Sequence, residues 1–426
     1  MRRVLGILAL VIATPAAAQQ VEVTLQEAVQ RALTIQPAMV SALGDQRNAA
    51  AGRRVAFGAF LPTLSVGGSA TRSSQPIRPA NDTITQPAAR YNYSGNLTAQ
   101  LDLFAGFKRV ANLRAAYATS AAASAGIVNQ RFQVTLLTKQ AFYNAIATEE
   151  LVRVAESQVR RAQQQLQISI DKLHAGSATR SDSLRSTVDY GNARIALLQA
   201  QANLATAQAQ LGRQIGIDQP VRAVPDSALP LPPDTIDLRA GTLEHAPQVE
   251  QADAQARAAR AQVWTARALY WPTLNVQYSN RRSGLSDPQL PFLDPYKETF
   301  SWTFGLNWPL FTGFVREQGQ VTASVTRDLA EARAADTRRQ VNAQFTQQMA
   351  ALTTAYAQIA IASDNLAAAT EDLRVQNERY RVGAATILDL LTSQAALTQA
   401  QVNVVQTRFN YLIARAQVEA VVGRTL

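Results

Sequence analysis

The 426-residue chain contains no cysteine, which excludes disulfides, thiolate nucleophiles and Cys-ligated metal. Histidine is almost absent. His174 and His245 are the only two and lie far apart, so neither a His-based catalytic pair nor a zinc site is expected, and the sequence calls for no cofactor and no metal. No nucleophile, base and orienting residue fall together, which argues against an enzyme. After the first dozen residues no apolar run approaches the roughly 20 residues a membrane helix needs. The formal charge is +10 and the pI about 10.1. The arginines are dispersed among Asp and Glu without a basic block or an aromatic cluster, the pattern of a solvated helical surface rather than a nucleic-acid-binding one.

What is present begins at the N-terminus. Arg2 and Arg3 precede an apolar stretch from Val4 to Ile12, and Pro15 and the triplet Ala16, Ala17, Ala18 come next. A basic segment, a short apolar segment and an A-x-A site predict a cleavable secretory signal peptide over residues 1–18. No cysteine stands after the cleavage site, so lipid anchoring there is not expected.

The rest reads as a duplication. "FLPTLSV" at 60–66 matches "YWPTLNV" at 270–276, and Pro62 and Pro272 stand 210 positions apart, as do Pro37 and Pro247. "LFAGFKR" at 103–109 matches "LFTGFVR" at 310–316, with Gly106 and Gly313 207 apart. "HAGSATRSDSL" at 174–184 matches "RVGAATILDLL" at 381–391 at the same spacing. The division is a first repeat over 19–217, a Pro-rich linker over 218–238 and a second repeat over 239–426. Each repeat predicts a helix, a strand pair (about 61–104 and 272–311) and a long helical hairpin (105–212 and 312–422).

In "FSWTFGLNWPLF" (300–311), Phe300, Trp302, Phe304, Leu306, Trp308 and Leu310 share one parity, and Ser301, Thr303, Gly305 and Asn307 the other. The other three strands repeat the pattern, including Leu97, Ala99, Leu101 and Leu103 against Asn96, Thr98, Gln100 and Asp102. Period-2 alternation over about ten residues suits a membrane strand, apolar toward lipid and polar toward a lumen. Taken singly, each would equally suit a half-buried strand of a soluble sheet. Trp271, Trp302 and Trp308, with Tyr91, Tyr93 and Tyr278, fall at or near strand ends, where an interfacial belt belongs. Four strands cannot close a barrel, and open edges in lipid cost several kcal/mol per unpaired group. Closure therefore needs further copies of the chain, and two, three or four all remain open at this point.

Between Gly106 and Gly176, and between Gly313 and Gly383, the chain is rich in strong helix formers. Seventy residues at 1.5 Å each make a rod of about 105 Å. Val152, Val159, Leu166 and Leu173 fall seven apart, as do Ile359, Leu366, Leu373 and Tyr380. The returning helices alternate 4 and 3 through Leu184, Val188, Gly191, Ile195 and Leu198, the spacing of a coiled-coil seam.

Together the duplicated Pro signals, the "LF-x-GF-x-R" junctions and "RYRVGAATILDLLTSQAALTQAQ…RFNYLIA" resemble the TolC-like outer membrane efflux channels. The likeness covers essentially the whole mature chain. It implies a mainly α protein with membrane β: a long periplasmic α-helical barrel and four transmembrane strands per protomer, twelve in a homotrimer. It implies an outer membrane exit duct of a tripartite efflux or type I secretion system, with a periplasmic adaptor and an inner-membrane pump as partners. Residue by residue, it places a lumenal carboxylate ring at Asp389, with Thr392 where a second acidic ring would stand. Such a ring would favour cations, and its carboxylates would raise one another's pKa. Tyr380, Asp182 and Ser181 match gate contacts. Ala385 stands where a further Arg clamp would be. Gly176, Ser177 and Ala178, with Gly383, Ala384 and Ala385, match the adaptor-docking tips. Two rival readings are an exported coiled-coil scaffold and a soluble periplasmic adaptor, neither with a pore.

Overall fold

A computed structural model of the chain describes residues 21–73, 90–225, 245–285 and 297–426. The expected signal peptide, most of the Pro-rich linker and the centres of the two strand-connecting loops lie outside them. In chain order the elements are β1 (Val21–Val23), α1 (Leu25–Ile35), α2 (Pro37–Gly58), β2 (Thr63–Ser73), β3 (Arg90–Ala105), α3 (Lys108–His174), α4 (Arg180–Ile215) and β4 (Val221–Ala223). They continue with α5 (Pro247–Arg267), a 3-10 turn (Ala268–Tyr270), β5 (Thr273–Leu285), β6 (Lys297–Asn307), α6 (Val315–Arg381) and α7 (Ile387–Val422). Helices α3 and α6 are 67 residues each and α4 and α7 36 each, so the two long hairpins match to the residue. At 1.5 Å per residue each long helix runs about 100 Å.

The chain divides into two units, each assembled from both sequence repeats. One comprises residues 1–41, 129–246 and 342–426, the other 42–128 and 247–341.

The second unit carries the sheet. Its strands are antiparallel in the order β2-β3-β5-β6, so β2 and β6 are open edges. Each repeat contributes one hairpin, and the two hairpins join through β3 and β5. The pairing departs from simple alternation at one place. A bulge between Asp102 and Phe104 puts Phe104, not Leu103, opposite Leu274. One extra residue flips the parity of the rest of the strand. The fourth strand is shorter than its alternation suggests. It ends at Asn307, leaving Trp308, Leu310 and Phe311 outside the ladder. Pro309 explains the stop, because it offers no N–H to a ladder and fixes its own φ.

The first unit holds the ends of the helical hairpins and a small parallel pair, β1 with β4, in register from Val21↔Val221 to Val23↔Ala223. Strand β4 lies inside the segment expected to be linker. Val221 and Ala223 are buried with Val23, Phe142, Leu211, Ile215 and Phe409 in one core, and that burial outweighs the Pro-rich composition around them. Arg222, on the opposite face, donates to Glu22 and Glu149. Burial pushes the Glu149 carboxyl up, but Arg222 and Arg153 pull it further down, to a net value below the usual range.

The helical seams also differ from the heptad expectation. On α3 Val152 is buried as expected, but the buried line then runs through Ala155, Ala162, Gln165 and Ser169, with Val159, Leu166 and Leu173 only half-buried. On α6 Leu373 and Tyr380 are buried as expected and join Ile387, Leu390 and Leu397 in a core between α6 and α7. The corresponding seam of the first hairpin is polar. Ser169 and Ser186 share a hydrogen bond of 2.8 Å, and Gln165 donates to Ser169 at 3.3 Å. The 4-3 stripe of α4 is bare: Leu184, Val188, Ile195 and Leu198 are all well exposed.

Candidate functional site

The sheet in the second unit sorts its residues by face. In an antiparallel sheet, directly paired residues project to the same side. Reading the register across the strands gives one row Leu64–Ala99–Tyr278–Trp302 and another Val66–Leu97–Asn280–Phe300. Two further rows are Leu101–Val276–Phe304 and Phe104–Leu274–Leu306. The opposite face reads Thr63–Gln100–Gln277–Thr303 and Ser65–Thr98–Ser279–Ser301. One face is apolar across its width and the other is small and polar.

The apolar face is uncovered. Leu64, Val66, Phe300, Phe304 and Leu306 are each about 70% exposed, although large residues of this kind gain about 1.5–3 kcal/mol apiece from leaving water. From Leu306 to Phe300 the apolar rows extend about 20 Å at 3.4 Å per residue. They stop at a charged row where Arg282 pairs with Glu298 at 3.1 Å. On the polar face, two glycines make room for cross-strand asparagines. A Cβ on Gly67 would meet Asn96 Oδ1 at 2.6 Å, and one on Gly305 would meet Asn275 Oδ1 at 2.5 Å.

The junctions at the strand ends explain the repeated "LF-x-GF-x-R". Gly106 and Phe107 both take positive φ, 58° and 64°, as do Gly313 and Phe314, 63° and 67°. This double left-handed step folds each phenylalanine back on the strand end. Phe104 meets Phe107 edge-on at 5.3 Å, and Phe311 meets Phe314 at 5.5 Å. The arginine then clamps the turn. Arg109 donates to the Leu103 carbonyl at 2.8 Å and lies 5.0 Å from the Phe60 ring. Arg316 donates to the Leu310 carbonyl at 2.9 Å and lies 4.7 Å from the Tyr270 ring. The positional identity of the two arginines was visible in the sequence, but their role was not. Of the expected interfacial aromatics, Trp302 projects from the apolar face against Tyr278 at 4.9 Å. Trp271 comes directly after the 3-10 turn, and Trp308, past the strand end, donates from Nε1 to the Tyr270 carbonyl.

The helical turns of the first unit hold the remaining expected residues. Gly176 and Gly383 take φ of 72° and 79°, which a side chain would strain. At each turn the chain bonds back six residues to one: Ser177 N–H to the Lys172 carbonyl and Ala384 N–H to the Arg379 carbonyl. Ser177 also bonds Lys172 O through its hydroxyl. Ala178 is half-buried, Ala384 exposed, and Ala385 packs on the Tyr380–Leu390 core. Threonines then start the returning helices. Thr179 exchanges bonds with Asp182, and Thr386 with Asp389, as reciprocal capping boxes. Val382 and Leu388 stand strongly exposed beside the second turn. The first turn carries Ala175 and Ser181 at those repeat positions, and Ser181 is exposed.

Within one protomer two of the expected tip residues have local partners. First, the Asp389 carboxyl lies below the usual range. The Thr386 backbone N–H, the Thr386 hydroxyl and the nearby Arg379 charge all favour its ionised form. Second, no hydrogen bond joins Tyr380 to Asp182, whose carboxylate is occupied by Thr179 N–H at 3.0 Å and the Thr179 hydroxyl at 2.8 Å. Tyr380 meets Lys172 instead. The Lys172 ammonium donates to the Tyr380 carbonyl at 2.7 Å and lies 3.9 Å from the ring centroid. A second polar tie joins the hairpins where Arg161 donates to Thr398 at 3.0 Å and Gln401 at 3.3 Å. The sequence signal for both is a basic residue within the heptad stretch of α3. Thr392 is exposed, its hydroxyl donating to the Leu388 carbonyl.

The profile of the outer membrane efflux protein family matches residues 28–216 and 238–424. The chain belongs to that family. This outer membrane efflux protein is 25% identical over 352 residues to the outer membrane efflux protein BepC of Brucella suis, across 79% of this chain and 74% of the relative. It is 27% identical over 306 residues to protein CyaE of Bordetella pertussis, across 69% of this chain and 62% of the relative. Its fold matches the outer membrane protein VceC of Vibrio cholerae with a TM-score of 0.79 at 20% identity, covering 94% of this chain and 96% of the other. Family and fold are those of channel proteins. Among the described residues no helix is long and apolar enough to cross a membrane.

Proposed function

We propose that three copies of this efflux protein assemble into an outer membrane duct, closed by twelve strands and continued by their helices through the periplasm. The observation that carries the reading is the uncovered sheet, which has two open edges, one predominantly apolar face bounded by a charged row, and one face of small polar residues. In water that face would be costly and the edges would template aggregation. In lipid, with edges paired between copies, both problems vanish, and the polar face lines a lumen. The bare α4 stripe supports the same assembly, since a 4-3 apolar seam packs against another helix. A soluble scaffold or adaptor leaves the sheet's apolar face unexplained.

We further propose that solute passes without covalent chemistry, and that the turns at Gly176 and Gly383 dock a periplasmic adaptor linked to an inner-membrane pump. The exposed Val382 and Leu388 at the second turn support such a contact. Export by a cleaved signal peptide, without a lipid anchor, completes the proposal. In the assembly, Asp389 forms the lumenal carboxylate ring, with Thr392 supplying no second one. Tyr380, held by Lys172, sits where hairpins must part for the tip to widen, with Asp182 and Ser181 beside the opposing turn. The test is conductance of the reconstituted full chain in planar bilayers. Asp389→Ala should raise single-channel conductance or weaken block by multivalent cations. Unchanged behaviour in both removes the ring, and a chain that stays monomeric in buffer without lipid or detergent removes the duct.

A further inference from the structure

Beside the first strand-to-helix junction lies a cavity of about 610 Å³ between the first turns of α3 and the last turns of α5. Aromatic rings, Phe107, Trp264 and Trp271, make one side of its lining, and Arg114, Arg260 and Arg267 the charged part. Among the described residues no carboxylate lines it. Arg260 is already paired with Glu331 at 2.5 Å, and Arg267 lies 5.3 Å from the Trp264 ring. Arg114 is exposed and makes no ion pair among the described residues.

The cavity's direction is set by a chain of ring contacts. Phe104 pairs with Leu274 on the sheet's apolar face. Phe107 stacks edge-on against Phe104 at 5.3 Å and against Trp271 at 5.6 Å. The cavity is therefore continuous with the apolar face, at the end from which the helices leave. Gly106 keeps this wall in place, since a Cβ there would meet Trp271 Cβ at 2.6 Å. The second junction lacks the constellation. At the repeat positions of Trp271, Trp264 and Arg267 stand Leu61, Arg54 and Phe57, and at that of Arg114 stands Val321.

We propose that this cavity seats an anionic phospholipid of the leaflet nearest the helices. Its phosphate lies on Arg114 and Arg267, and its acyl chains run up the Phe107–Phe104 face. Aromatic rings flanked by arginines suit an amphiphile with an apolar body and an anionic head. The shared phosphate chemistry would also admit free phosphate, but the ring-lined wall opening on the apolar face selects the lipid. The proposal rests on the barrel reading for the placement of that face in lipid.

The probe is the full chain carrying Trp302→Phe and Trp308→Phe, which leaves Trp264 and Trp271 as its only tryptophans. It is reconstituted into mixed phosphatidylcholine and phosphatidylglycerol vesicles, with bromine on the acyl chains of one lipid or the other. Brominated phosphatidylglycerol should quench several-fold more than its share of the bilayer predicts, and high salt should remove the excess. Arg114→Gln and Arg267→Gln should each weaken the preference roughly fivefold, while Arg114→Lys retains most of it. Conductance of the same variants reports the pore separately, so a lost preference with native conductance supports the site without touching the duct. Equal quenching by the two headgroups, a preference that survives the paired Gln variants, or one that persists in high salt overturns the proposal. Reversal by millimolar inorganic phosphate overturns the lipid in favour of a free anion.

Discussion

Gly106 and Gly313 occupy the same position in the two repeats and adopt the same left-handed backbone, yet their surroundings differ. A Cβ on Gly106 would meet Trp271 Cβ at 2.6 Å and the Ala268 carbonyl oxygen at 2.7 Å. A Cβ on Gly313 would have no atom beyond its chain neighbours within 4 Å. Placing alanine in the left-handed region costs about 1–2 kcal/mol at either site. At Gly106 the new methyl also has to displace a backbone carbonyl and the root of a tryptophan, neither of which rotates away. Overpacking of that kind adds about 1–3 kcal/mol. Gly313→Ala is therefore expected to cost about 1–2 kcal/mol and Gly106→Ala about 2–5 kcal/mol. The assay is loss of helical circular dichroism on heating the detergent-extracted protein at a fixed scan rate, because unfolding of such assemblies is a rate measurement. Trp fluorescence should shift only in Gly106→Ala, since Trp271 is the displaced group. Equal losses from the two substitutions, or a greater loss from Gly313→Ala, would refute the close approach as the reason for glycine.

Three further outcomes concern the helices and their turns. Lys172→Met removes both the hydrogen bond to the Tyr380 carbonyl and the ammonium over its ring, so open-state conductance or opening frequency should rise in planar bilayers; unaltered gating would show that the tie does not hold the tip. The folded Asp389 value lies below its ordinary 3.8. Its contribution to stability is therefore fully present above that value and lost as pH falls through the lower, folded one. The stability difference between the native chain and Asp389→Asn should be flat from neutral pH to about 5 and shrink only in stronger acid, and a difference that already fades near neutral pH would contradict the cap. Phe142 is fully buried in the core that joins α3, α4, β1 and β4, so Phe142→Ala should lower thermal stability by about 3–5 kcal/mol, read by the same melting assay.

Much of this architecture arises from local chemistry and was therefore legible in the order of residues. Alternation marked the strands, because successive side chains on a strand face opposite ways whatever lies around them. Paired Pro and Gly signals marked the duplication, and uninterrupted helix formers marked the two 67-residue rods. The capping box of Thr386 and Asp389, three residues apart, is equally local. Other features depend on which segments meet, and no single stretch encodes that. The bulge that swaps Leu103 for Phe104 is defined only against β5. Val221–Ala223 becomes a strand only because Val21–Val23 offers an edge and a core beneath it. Tyr380 meets Lys172, 208 positions away, a pairing no local pattern encodes. The two compact units each draw on both repeats, since long helices carry segments distant in sequence to the same level. Local periodicity and capping are properties of a few neighbouring residues, so the sequence alone determined the strands, rods and turns. Register, partner choice and the arginine-lined cavity arise from contacts across long separations, and those the tertiary structure alone decided.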